Sequence, residues 1–192
     1  MPHGAAAAVI FAHGSGSGRL SPRNQYVAQV LQDARLGTLL IDLLEESEAD
    51  DRAKVFDIAL LADRLNAAAA WLSGRPETGN LRLGYFGAST GAGAALVAAA
   101  QAPGSISAIV SRGGRPDLAR DSLPRVTAPT LLIVGGNDEQ VLELNRGAYE
   151  QLGCLRRLIV VPRASHLFPE PGALEEVARL AREWFFQYLT RS

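Results

Sequence analysis

The chain has 192 residues, 47% hydrophobic and 20% charged, with a formal net charge of -1 at pH 7. That is the profile of one soluble globular domain spanning 1–192, of a size at which about 70% of the unfolded surface is buried. Near-neutral charge leaves no electrostatic footprint for nucleic acid or for an anionic membrane surface. The single cysteine, Cys154, excludes an internal disulfide and suits a reducing cytoplasm; it reads as a small buried hydrophobe rather than a nucleophile. Residues 1–10 lack the basic start of a signal peptide, and no segment reaches the roughly 20 apolar residues of a membrane span.

In chain order, residues 5–12 (AAAAVIFA) are continuously apolar, as in a buried parallel strand, and run into the glycine-rich turn His13-Gly14-Ser15-Gly16-Ser17-Gly18. Ser21-Pro22 marks a helix start, with Ser21 as N-cap. Residues 38–43 (TLLIDL) are the second strand, and the acidic run 45–51 reads as a solvated loop. Residues 57–72 carry apolar side chains at helical spacing. The stretch 81–100, LRLGYFGASTGAGAALVAAA, is a strand, a sharp glycine turn and an alanine-rich helix. Strands at 105–110, 130–134 and 155–161 follow, with helices at 140–152 and 172–189. Alternation over about six strands predicts an α/β fold: a doubly wound, mainly parallel sheet with helices on both faces.

Gly87-x-Ser89-x-Gly91 between strand and helix is the pattern of a nucleophile elbow, in which the serine hydroxyl stands above the sheet. The pattern alone recurs by chance, so its context must confirm it. A dinucleotide fingerprint is excluded by its mid-chain position and by the lack of an acid at the next strand end. In a doubly wound sheet the ligand crevice lies outside the carboxyl ends of the strands. Four of these ends carry polar or glycine-rich loops: residues 13–18, Ser89, Asp138 and His166.

A serine hydroxyl needs a base. His3 is terminal and His13 sits in the first turn, which leaves His166. The carboxylate that orients it is best placed at Asp138, with Glu139, Asp42 and Asp117 as alternatives. Oxyanion donors are expected from Thr90 N–H and from the first turn, at Ser15 N–H or Gly14 N–H. Arg112, in the loop after a strand, is a candidate for an anionic substrate group; the competing reading is a surface arginine paired with Asp117. His13 and Arg19 are further candidates for touching substrate, and Arg23 and Asn24 for lining the pocket. No metal and no cofactor are called for, the partner is a small ester or acyl substrate, and the oligomeric state is open.

On FAHGSGSG, GYFGASTGAG, VGGNDEQV and PRASHLFPEPGALEEV, the chain resembles α/β-hydrolases, and within them dienelactone-hydrolase-like proteins. The resemblance spans almost the whole length. It implies the triad Ser89, Asp138 and His166, an oxyanion turn after His13, and a first strand lying between the second and third. Two departures accompany it. Dienelactone hydrolases proper use cysteine where this chain has Ser89, and the superfamily's two leading antiparallel strands have no room before Ala5, making this a minimal fold. No lid-sized insertion separates Val110 from Thr130, so an open, shallow site for small esters is expected. The implied activity is hydrolysis of a carboxylic ester, lactone or related acyl compound; a thioesterase, an acyltransferase or a non-catalytic binding module are the alternatives.

Overall fold

A computed structural model describes residues 1–2 and 4–190, which leaves His3 outside the described residues. The described strands form one sheet, entirely parallel, in the order β2-β1-β3-β4-β5-β6. They are β1 (Ala7–Ala12), β2 (Gly37–Leu40), β3 (Arg82–Ala88), β4 (Ala108–Arg112), β5 (Thr130–Gly135) and β6 (Arg156–Val161). The first strand lies between the second and third, as the resemblance implies. The helices are α1 (Pro22–Asp33), α2 (Glu46–Ala49), α3 (Arg52–Val55), α4 (Ile58–Ser73), α5 (Thr90–Gln101), α6 (Glu139–Gln151) and α7 (Ala173–Leu189), with a 3-10 stretch at Pro116–Arg125.

The period-2 geometry of the strands separates two cores. Val9, Phe11, Phe86, Val110 and Ile133 face α1 and α7, where they meet Val27, Leu31, Val177, Trp184 and Phe185. Ile10, Tyr85, Ile109 and Leu132 face α4, α5 and α6, packing on Leu61, Leu65, Leu96 and Ala148. Phe11 and Phe86 stack across β1 and β3 with ring centroids 4.9 Å apart. Both faces are covered, so the strands read as continuous apolar runs instead of alternating ones.

The sequence expectations for element type hold, with boundaries displaced by a few residues, and two local readings need correction. Ser21 precedes α1 but makes no side-chain cap; its Oγ is buried without a partner among the described residues, and its backbone N–H turns back to Gly18 O. The acidic run is not a loop. It folds into α2 and α3, started by a capping box between Glu45 and Glu48 and by Asp51 Oδ1 accepting Ala53 N–H.

Glu48 is held by Arg64 at 2.5 and 2.9 Å and by Lys54 at 3.0 Å. The decisive partner is sixteen residues away on α4, so a local charge pattern could not disclose it. The Arg64 guanidinium, then the Glu45 backbone N–H and Lys54, hold the Glu48 carboxyl well below the usual carboxylate range. A depressed carboxyl contributes stability above its unfolded pKa, and that stability is lost as pH falls toward the folded value. Melting curves of Glu48→Gln are therefore expected to lie below those of the parent at pH 7, with the gap closing as pH is lowered below about 4. A gap independent of pH would show that charge on Glu48 is not what fixes this segment.

Candidate active site

The turn at Ser89 follows from crowding at both of its glycines. A side-chain carbon on Gly87 would stand 2.5 Å from Ala92 Cα, and one on Gly91 would overlap the backbone carbonyl of Ala12. Backbone atoms cannot move aside as a flexible side chain can, so only glycine lets α5 approach β3 and β1 this closely. The chain reverses in one residue, leaving Ser89 at φ 50° and ψ -123°, a conformation that is rare for a residue with a side chain. Ser89 O accepts the N–H groups of Ala92 and Arg115, which pins the turn from both sides. Thr90 begins α5, so its N–H is at the positive end of a twelve-residue helix.

On the same rim, Asp138 precedes α6 and makes no side-chain cap to that helix, which leaves its carboxylate for another partner. That partner is His166, whose Nδ1 lies 2.6 Å from Asp138 Oδ2. The tautomer assigned by this contact puts the proton on Nδ1 and the lone pair on Nε2, as a base requires. A side-chain carbon on Gly113 would fall 3.5 Å from His166 Nδ1. Ala88, the last residue of β3, is paired with Arg112, the last of β4, so Ser89 and Gly113 follow adjacent strand ends. The imidazole thus sits over the strand end beside the serine. Among the described residues neither Ser89 Oγ nor His166 Nε2 has a hydrogen-bond partner.

The loop carrying His166 is tightly held. Arg163 and Phe168 both have positive φ, Phe168 is buried in the α1/α7 core, and Glu170 Oε1 accepts the Ser165 N–H at 3.0 Å. The Ser165 side chain first, and this N–H to a lesser degree, hold the Glu170 carboxyl below its ordinary range. Of the alternative acids, Asp42 is paired with Arg19 and Asp117 with Arg115, while Glu139 is the exposed first residue of α6. Asp138 alone of the four bonds the imidazole.

The first turn packs directly on the elbow: a side-chain carbon on Gly14 would be 2.7 Å from Ser89 Cβ. His13, expected to touch substrate, is among the residues lining the cavity beside this turn, and both of its ring nitrogens are committed to the backbone. Nδ1 donates to Gly14 O at 3.0 Å, and Nε2 accepts the Leu43 N–H at 2.8 Å. Arg64 extends the chain by donating to Leu43 O at 2.7 Å. A continuous run of hydrogen bonds therefore joins Glu48 and Arg64 to the turn that presents Gly14 and Ser15. Sequence reasoning missed Arg64 and Leu43, which lie in no motif, and Glu170, which lies in the stretch around His166 but whose contact with Ser165 N–H has no local signal. Asn145 was missed as well: fully buried on α6, it donates to Gly114 O at 3.0 Å.

Arg19, Arg23, Gly14, Ser15 and Thr90 line a cavity of about 1230 Å³, closed on its far side by Glu45, Ala49 and Val55. The shallow cleft expected from the lack of a lid is therefore deepened, by the two short helices that the acidic run forms. Arg112 is not on a loop. It ends β4, is 5% exposed, and its Nη2 lies 3.5 Å from Asn24 Oδ1. The carboxylate proposed as its surface partner, Asp117, belongs to Arg115. Cys154 is half-buried before β6, at the amino ends of the strands and away from this rim. Among the described residues no group of three or more His, Cys, Asp or Glu side chains could hold a metal, and no helix is long and apolar enough to cross a membrane.

Comparison with known proteins agrees with this architecture. A solved structure described as dienelactone hydrolase from Anabaena variabilis is 61% identical, covers 98% of this chain and 89% of that one, and superposes with a TM-score of 0.95. Est1E from Butyrivibrio proteoclasticus shares the fold at a TM-score of 0.83 with 16% identity, covering 100% of this chain and 93% of that one. A Mycobacterium tuberculosis protein named, provisionally, a phosphoribosyl transferase is 60% identical over 181 residues, which is 94% of this chain but 41% of that protein. The chain thus spans about two-fifths of the length of that relative. The sequence profile of the dienelactone hydrolase family matches residues 43–187, and with a sheet order and elbow of this kind the chain belongs to the dienelactone hydrolase family.

Proposed function

We propose that this chain is a serine hydrolase of carboxylic esters, lactones or related acyl compounds, working in the cytoplasm as a single α/β-hydrolase domain. The observation that carries this reading is the 2.6 Å bond between His166 Nδ1 and Asp138 Oδ2, made at the strand end next to Ser89. Ser89 Oγ adds to the substrate carbonyl while its proton passes to His166 Nε2. The carbonyl oxygen, now negative, is met by Thr90 N–H and by an N–H of the first turn, at Ser15 or Gly14. Collapse of the adduct breaks the bond to the leaving oxygen, which takes the proton from His166. Water then repeats the sequence on the acyl-enzyme and frees the acid. Asp138 remains a carboxylate throughout, orienting the ring and stabilising its charged form.

An acyl acceptor other than water would turn the same groups to transfer, and a thioester would serve as well as an ester. The name of the mycobacterial relative describes a protein of which this chain covers 41%. The elbow and the imidazole–carboxylate pair support acyl chemistry for the part that is shared.

A fluorophosphonate probe is expected to label the parent at Ser89 and to leave Ser89→Ala and His166→Ala unlabelled, with melting curves confirming that both fold. Turnover of 4-nitrophenyl esters should fall by at least about a thousandfold in each variant. Labelling retained by Ser89→Ala would reject the assignment.

His13→Phe removes both backbone contacts while keeping a flat ring of similar size. It should lower kcat about tenfold or more with little change in KM, since the turn loses its hold on the oxyanion donor. An unchanged kcat would show that His13 serves stability alone.

A further inference from the structure

The cavity beside the elbow lies on one side of it only. Among the described residues that line it, all but Thr90 precede β3 in the chain, and none comes from the loops after β4, β5 or β6. It therefore sits over the β1 and β2 side of the sheet, whereas His166 lies beside Gly113, at the end of β4. Much of its lining is aliphatic. Ile41 and Leu44, which follow β2, and Leu61, on α4, are part of the core beneath α4 and α5 or rest against it. Val55 ends α3, and Leu20 lines the cavity while 73% exposed. Of the charged side chains that border it, Arg19 is paired with Asp42, Arg64 with Glu48, and Glu45 caps α2. An aliphatic surface left open to solvent at a concave place is covered most favourably by an apolar group.

Stereochemistry decides which half of a substrate this hollow takes. Besides the attacking Ser89 oxygen, the carbonyl carbon bears the oxygen that turns negative, the leaving oxygen and the acyl chain. The first must meet Thr90 N–H and the first turn, and the leaving oxygen must meet His166 Nε2, which returns the proton to it. The leaving group is thereby drawn to the β4 side. The acyl chain is sent the other way, where the cavity begins at Gly14, Ser15 and Thr90. We propose that the cavity is the acyl pocket, and that the preferred substrates are esters of medium-length aliphatic acids, with the leaving alcohol lying outside it. Ala49, on α2, and Leu20, just before α1, set how long an acyl chain fits. The inference rests on Ser89 being the nucleophile, but its binding part can be tested without turnover.

Two measurements decide it. The first compares kcat/KM for 4-nitrophenyl octanoate and 4-nitrophenyl acetate, which differ only in the acyl chain, and for benzyl and ethyl acetate, which differ only in the alcohol. The octanoate-to-acetate ratio should fall about tenfold or more in Ala49→Trp, which fills the cavity, and in Leu20→Glu, which puts a charge on its lining. The benzyl-to-ethyl ratio should stay within about twofold of the parent in both. Both positions are exposed, so neither substitution disturbs the core. The second measurement uses Ser89→Ala. Octanoate, kept below its micelle-forming concentration, should raise the melting temperature saturably and more than acetate does, and adding Ala49→Trp should abolish the difference. An unchanged octanoate-to-acetate ratio, or a fall in the benzyl-to-ethyl ratio in its place, overturns the pocket; turnover that still depends on Ser89 then leaves the hydrolase reading standing. A melting temperature indifferent to octanoate also overturns it. Stabilisation by octanoate without hydrolysis of any of these esters upholds the pocket and rejects the hydrolase reading.

Discussion

Everything at this rim depends on how closely three backbone segments approach one another. Gly87 and Gly91 let α5 press against β3 and against the carbonyl of Ala12, with no room for a side chain at either place. That contact forces Ser89 into its strained conformation and lifts its hydroxyl off the sheet. It also sets Thr90 N–H at the start of α5, and brings Gly14 against Ser89 Cβ. The strain is sustained because the surrounding core over-determines it: Ala12, Ala88, Thr90 and Ala92, at and against the turn, are all buried.

The rest of the rim is assembled from loops, which are individually weak and must be tied down. Each one is anchored by a polar contact to a neighbour. Glu170 ties the His166 loop, Asn145 ties α6 to the loop after β4, and His13 ties the first turn to the loop after β2. These contacts fix the positions of the reacting groups without touching them. Precision of this kind matters because catalysis falls steeply with small misplacements.

Much of the architecture was legible in the sequence. The continuous apolar run before His13 and the strand–turn–helix around Ser89 have strong local signals, because buried parallel strands and helices differ in period and in glycine content. Asp138 and His166 were legible because both follow strands, and a doubly wound sheet gathers its strand ends on one edge. What stayed hidden depended on partners distant in sequence. The acidic run read as a loop because Arg64, which pairs with Glu48, lies on another helix; it is solvated, as expected. The hold of His13 on the loop after β2 was hidden too, because nothing local shows that Leu43 N–H meets its ring. The cavity beside the elbow was hidden for the same reason, since residues of α2 and α3 form part of its lining. Arg112 was placed one step too far along the chain, and the strand that ends on it puts it inside the protein instead of on a loop.

The central claim is that Ser89, which follows β3, and His166, on the loop after β6, act as one unit. Its most direct test is the kcat of Ser89→Ala, His166→Ala and the double variant on one 4-nitrophenyl ester, each corrected for background hydrolysis. Groups that act together are strongly non-additive, so the double variant should be no slower than either single one, within about twofold. Losses that multiply, leaving the double variant slower by the product of the two single effects, would contradict the account.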